Sequence, residues 1–188
     1  AVGAFPLTNT GSLDAAVYDS GLAGGSYSAQ VTGNGGSTGV ALAEIYDARP
    51  GLSAGTTRLS NVSARSQVGT GGNILIAGFV ISGNAPKRVL IRGIGPALSA
   101  FGVGGALVDP RLELHTTING ADIVMSTNDN WGTPVETGTA NAGQLAAAFT
   151  QVGAFVLTSG SRDAALLVTL QPGSYTAQVS GAGGTTGI

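Results

Sequence analysis

Residues Val2–Val40 read VGAFPLTNTGSLDAAVYDSGLAGGSYSAQVTGNGGSTGV, and residues Val152–Ile188 read VGAFVLTSGSRDAALLVTLQPGSYTAQVSGAGGTTGI. The end of the chain repeats its beginning. Val2 matches Val152 and Gly39 matches Gly187, with two one-residue gaps between them. The distance between copies is that of a domain, not of a solenoid turn of roughly 20–50 residues. The first copy runs on past Val40 into ALAEIYD (Ala41–Asp47), which reads as a strand. The second reaches its matching point at Ile188. The expected organisation is the tail of one unit (1–50) followed by a nearly complete second unit (51–188) that lacks its last strand. An open sheet edge exposes unpaired N–H and C=O groups, which pair with another chain.

Working outward, strands show as β-branched and apolar runs between glycine turns. In the first copy they are expected at Asp14–Tyr18, Ser26–Thr32 and Val40–Asp47. The last two are joined by the hairpin loop Gly33–Gly39, where glycine permits positive φ. Pro50-Gly51 within Arg49–Gly55 reads as a linker. Further strands are expected at Arg58–Val68, Asn73–Ser82, Lys87–Arg92, Arg111–Thr117, Asp122–Thr127, Leu145–Leu157, Ala164–Leu170 and Ser174–Ser180. The run Asn73–Ser82 is almost wholly apolar and predicts a central strand covered on both faces. Gly95–Phe101 predicts a short helical turn. Ala140–Ala148 is the one fair helix, weakened by Gly143. About nine strands per unit at this spacing predict an all-β fold, an antiparallel β-sandwich of immunoglobulin-like or jelly-roll-like kind, present as a circularly shifted repeat.

Composition narrows the function. The chain has 188 residues, enough for a real core. Charged residues are 10%, against about 25% in average soluble domains. There are 32 glycines among many Ala, Val, Ser and Thr, a mixture suited to β structure that buries part of its surface in contacts. Net charge −2 with a single lysine argues against a nucleic-acid partner, which needs a basic stripe. Without cysteine there is no disulfide, thiolate zinc site or thiol catalysis. No apolar run reaches the roughly 18–20 residues of a membrane span. No signal peptide opens the sequence, and Ala1 fits the product of its removal.

The runs RLSNVSARSQVGTGGNILIAGFVISG (Arg58–Gly83), KRVLIRGIGPAL (Lys87–Leu98) and NDNWG (Asn128–Gly132) are distinctive. With GSYTAQVSG and its glycine-rich turn, they resemble a β-sandwich repeat of large exported bacterial surface proteins, often found in tandem. The resemblance spans essentially the whole chain. It implies an extracellular, non-enzymatic, adhesive or structural role, and it brings no catalytic residues.

Candidate sites are few. His115 is the only histidine, with Glu113 on the same strand face. A metal or acid–base role needs further ligands that are not near in sequence, which favours a packing role. Asn128, Asp129, Asn130 and Trp131 offer oxygen ligands of the kind Ca²⁺ takes, with a single charge among them. Trp131 also offers a ring on which a sugar would stack. The competing reading of this loop is an Asx-rich turn bonded to its own backbone. Arg65, Arg88, Arg92 and Arg111 either form a cationic face or pair with Asp109, Glu113 and Asp122. Gly69–Asn73 precedes a strand rather than a helix and so reads as a turn, not a phosphate cradle. Asn61-Val62-Ser63 matches a glycosylation sequon.

No catalytic constellation emerges, and the expected role is not enzymatic. The leading expectation is a structural subunit of an extracellular filament or surface assembly, pilus-like and polymerising head to tail. Its donor strand is Val40, Ala41, Leu42, Ala43, Glu44, Ile45, Tyr46 and Asp47, filling the slot after Ile188 in a neighbouring copy. The alternative is an adhesive module that binds surface polysaccharide through Trp131.

Overall fold

The computed structural model describes residue 4 and residues 11–48, 57–134 and 139–188. The expected linker Arg49–Gly55 lies outside the described residues. The chain divides into two units, Ala1–Ser63 and Ala64–Ile188.

The first unit has no strand among its described residues. The expected strands Asp14–Tyr18, Ser26–Thr32 and Val40–Asp47 are not in a ladder here, and almost every residue is exposed. The physical reason is that a strand needs a partner, whereas a tight turn needs only its own residues. The one regular element is a 3-10 turn at Asn34–Gly36.

The second unit is all-β with one helix. Its strands are β1 (Leu75–Ile81), β2 (Lys87–Gly93), β3 (Pro110–Ile118), β4 (Ala121–Asn128), β5 (Ala164–Leu170) and β6 (Gly173–Gly181). One sheet has the order β1-β6-β3-β4, the other is the pair β2-β5, and every pairing is antiparallel. Asn119 and Gly120 turn β3 into β4 with φ 52° and 81°. Those positive angles belong to the two-residue turn whose twist matches the strands it joins. Pro96–Phe101 forms the expected helical turn, as a 3-10 turn.

Six strands form among the described residues, fewer than expected. Arg58–Val68 contributes only an isolated bridge, Val68 to Gly187. The apolar run around β1 is not a central strand: β1 is an edge, with Ile76 and Val80 exposed. Leu145–Leu157 is not a strand either. It falls largely in helix α1 (Ala142–Val152), two residues beyond the expected start. Leu145, Ala148 and Phe149 recur at helical spacing and are buried together. Asn141 caps the helix by accepting the Gln144 N–H at 3.0 Å while Gln144 Oε1 accepts the Asn141 N–H at 3.0 Å. Gly153 closes it at φ 71°.

Two apolar clusters hold this unit together. The first lies between the sheets and joins Leu112, Leu114, Leu166, Leu170, Tyr175 and Val179 with Val68 and Leu107. The second packs α1 on the outer face of the β2-β5 pair through Trp131, Leu145, Phe149, Leu157 and Ala165. Fully burying one such side chain is worth about 1.5–3 kcal/mol.

Candidate assembly surface

The two copies of the repeat share their local conformation and differ in everything non-local. In the second copy Gly181 leads into Ala182–Gly184, where Gly183 has φ 63°, ψ 19° and the Thr185 N–H donates to Ala182 O at 3.3 Å. In the first, Gly33 leads into Asn34–Gly36, where Gly35 has φ 63°, ψ 21° and the Ser37 N–H donates to Asn34 O at 3.3 Å. A Cβ at Gly33 or Gly181 would overlap the carbonyl of Ser37 or Thr185, so the close approach requires glycine. Tyr175 donates its hydroxyl to Gln171 O at 2.8 Å, and Tyr27 donates to Ala23 O at 3.0 Å. Ser161 Oγ donates to Asp163 Oδ2 at 2.6 Å, and Ser12 Oγ donates to Asp14 Oδ2.

The surroundings are opposite. Tyr175 and Val179 are each 8% exposed, because β6 lies between β1 and β3. Their counterparts Tyr27 and Val31 are 60% and 62% exposed. The expected donor strand continues this exposed copy. Val40 is fully exposed, and Leu42, Ile45 and Tyr46 are exposed as well. Ala41 and Ala43 lie exposed between them. Tyr46 donates to Glu44 Oε1 at 2.8 Å, and that bond to a carboxylate raises the phenol pKa. The acidic residues of this segment are Glu44 and Asp47, and it has no basic residue.

Asp163 is the functional-looking residue that the sequence reading passed over. It is fully buried, and Oδ1 accepts the backbone N–H groups of Gly95 at 2.8 Å and Ala97 at 3.2 Å. It thus ties the start of the 3-10 turn after β2 to the start of β5. A carboxylate taken from water is tolerated when its lone pairs are met this way. The available signal was that Asp14 and Asp163 form the only acidic position common to both copies. Arg92 is held below the usual arginine range by burial, with Asp163 opposing that shift. Its guanidinium donates to Phe155 O at 2.6 Å and sits over the rings of Phe155 and Phe149 at 4.2 and 5.0 Å.

The loop Asn128–Trp131 is a lock within the unit. Asn128 is buried, donates to Asn130 O and Thr133 O at 3.2 Å each, and accepts the Ala165 N–H at 3.0 Å. Its amide is therefore committed to the protein, and Arg111 lines the same small groove as Asp129. Trp131 is buried against Phe149, with Nε1 donating to Thr158 O at 3.1 Å. Its ring is packed inside the unit.

Of the arginines read as a cationic face, Arg92 is packed on aromatic rings and Arg111 is paired. Arg111 pairs with Glu113 at 2.8 Å, while Asp109 is taken by Arg162 at 2.8 Å. His115 is buried, with Nδ1 2.9 Å from Asp122 Oδ2 and Nε2 3.7 Å from Glu113 Oε2. Among the described residues no group of three histidine or acidic side chains is placed to hold a metal. No described helix is long and apolar enough to cross a membrane.

No protein-family model, no curated protein and no solved structure matches this chain.

Proposed function

We propose that this chain is a structural subunit that assembles by β-strand complementation, and that Val40–Asp47 is the strand it donates. One observation carries the reading. The first copy of the repeat holds the same local turns and side-chain bonds as the second, yet its apolar residues stand in water while those of the second are buried. A segment already shaped for a sheet, and without one, gains by pairing with a sheet. Exposed apolar surface of this kind marks an interaction site. On this reading the two sheets form a β-sandwich, residues 51–188 are a nearly complete unit, and residues 1–50 are the tail of another. Because donor and acceptor surfaces differ, the contact is head to tail and propagates into a fibre.

The extracellular setting rests on the resemblance to exported bacterial repeat domains. The role is structural rather than catalytic, and the partner is another copy of the chain. Deletion of Val40–Asp47 is expected to leave the second unit folded and to abolish assembly, as seen by sedimentation and electron microscopy. Filaments from the deleted chain would refute the donor role.

A further inference from the structure

The proposed donor needs an acceptor, and the second unit has one sheet edge that fits better than the others. The inner face of the four-stranded sheet is unevenly covered. On β6, Tyr175, Ala177 and Val179 are buried, whereas their ladder partners on β1 are not. Phe79 and Leu75 are half-buried and Ala77 is exposed. On the facing pair, the inward residues Val89 and Ile91 of β2 are also only half-buried. One edge of β2 pairs with β5, and the other has no ladder partner among the described residues. A strand laid along that edge would cover the inner face of β1.

The path of the chain leads there. Gly187 is bonded both ways to Val68, and Ile188 is held by Gly105 O at 2.9 Å and by the Leu107 N–H at 2.9 Å. Leu107 in turn packs so closely on Gly95 that a Cβ there would overlap the Leu107 carbonyl. Ile188 thus sits by the end of β2 that finishes at Gly93. By the repeat, Ile188 stands where Val40 stands, immediately before the strand Ala41–Asp47. A strand starting here and running along β2 is antiparallel to it, which brings Ala41 to Gly93, Glu44 to Leu90 and Asp47 to Lys87 at the other end. The charges that meet there are opposite in sign.

We propose that the free edge of β2, over the inner face of β1, is the acceptor slot for Val40–Asp47 of a second copy of this chain. This inference rests on the donor-strand reading and adds the place where the strand goes. The other open edge, that of β5, borders a groove of about 630 Å³ shared with β4. The Asn128 side chain bonds Ala165 N at the start of that edge, and Pro134, Ala140 and Gln144 already line the groove.

The native chain lacks cysteine, so engineered pairs report cleanly. Chains carrying Leu42→Cys or Ala43→Cys are mixed with chains carrying Ile91→Cys on β2 or Val168→Cys on β5, assembled and oxidised. An intermolecular disulfide with Ile91→Cys and not with Val168→Cys supports the β2 slot. Assembly with cross-links to Val168→Cys, or to neither, overturns the slot and leaves the donor reading standing. A native chain that stays monomeric at every concentration overturns both. Because Ile91→Cys touches the core, a surface pair gives an independent readout. Lys87→Glu should weaken assembly about two- to fivefold, and Asp47→Lys in the same chain should restore it. Weakening without rescue, or no weakening, counts against the slot.

Discussion

The segments Gly11–Val40 and Gly160–Ile188 are two copies of one repeat in two environments, and the difference separates what a sequence does locally from what a fold does for it. The glycine turn, the tyrosine bond four residues back and the Ser-x-Asp bond form in both. Each closes over a few residues and needs no core. The strands form only in the second copy, where β1, β3 and β2 supply the ladders. A strand's hydrogen bonds lie between elements distant in sequence, so its existence depends on a partner. The first copy keeps the local bonds and lacks the ladders.

The sharpest way to break this comparison is to place the same charge in both copies. Val179→Asp puts an unpaired carboxylate between the sheets and is expected to unfold the second unit, a loss of at least about 3 kcal/mol. Val31→Asp, at the matching exposed position, should change monomer stability by less than about 0.5 kcal/mol. Denaturant unfolding of both variants checks this. Equal losses would mean that the first copy has a core of its own.

A smaller effect is expected at the shared acidic position. Asp163→Ala leaves the Gly95 and Ala97 N–H groups without an acceptor and should cost about 1–3 kcal/mol by the same assay. Asp14→Ala should leave the monomer's unfolding curve unchanged. Smaller still is the glycine turn. Gly183→Ala forces a Cβ into a left-handed backbone and should cost about 1–2 kcal/mol in the second unit. Gly35→Ala should disturb only local amide shifts of Gly33–Ser37 in the NMR spectrum. Both substitutions strain the same turn, and only the one at Gly183 should register in stability.

Much of the second unit was legible from its residues. The cores of all six strands, the turn at Pro96–Phe101 and the glycine loops follow from apolar runs bounded by turn residues. The stretch after Ala140 was ambiguous because an Ala-rich apolar run suits both a buried strand and a helix. Leu145, Ala148 and Phe149, with the Asn141–Gln144 capping box, resolve it as α1. The first copy misled because propensity cannot report whether a partner is present. β1 misled because an apolar run does not distinguish a strand covered on both faces from an edge strand. Asp163 was passed over because one acidic residue in a sparsely charged chain carries no motif. Its role appears only when the fold brings β5 beside Gly95.

The most direct test is amide hydrogen exchange on the full chain, dilute and then assembled. The account predicts rapid exchange over residues 40–47 in the dilute chain, protection over 174–180 in both states, and new protection over 40–47 on assembly. Protection of 40–47 already present in the dilute monomer, or absent from the assembly, would contradict it.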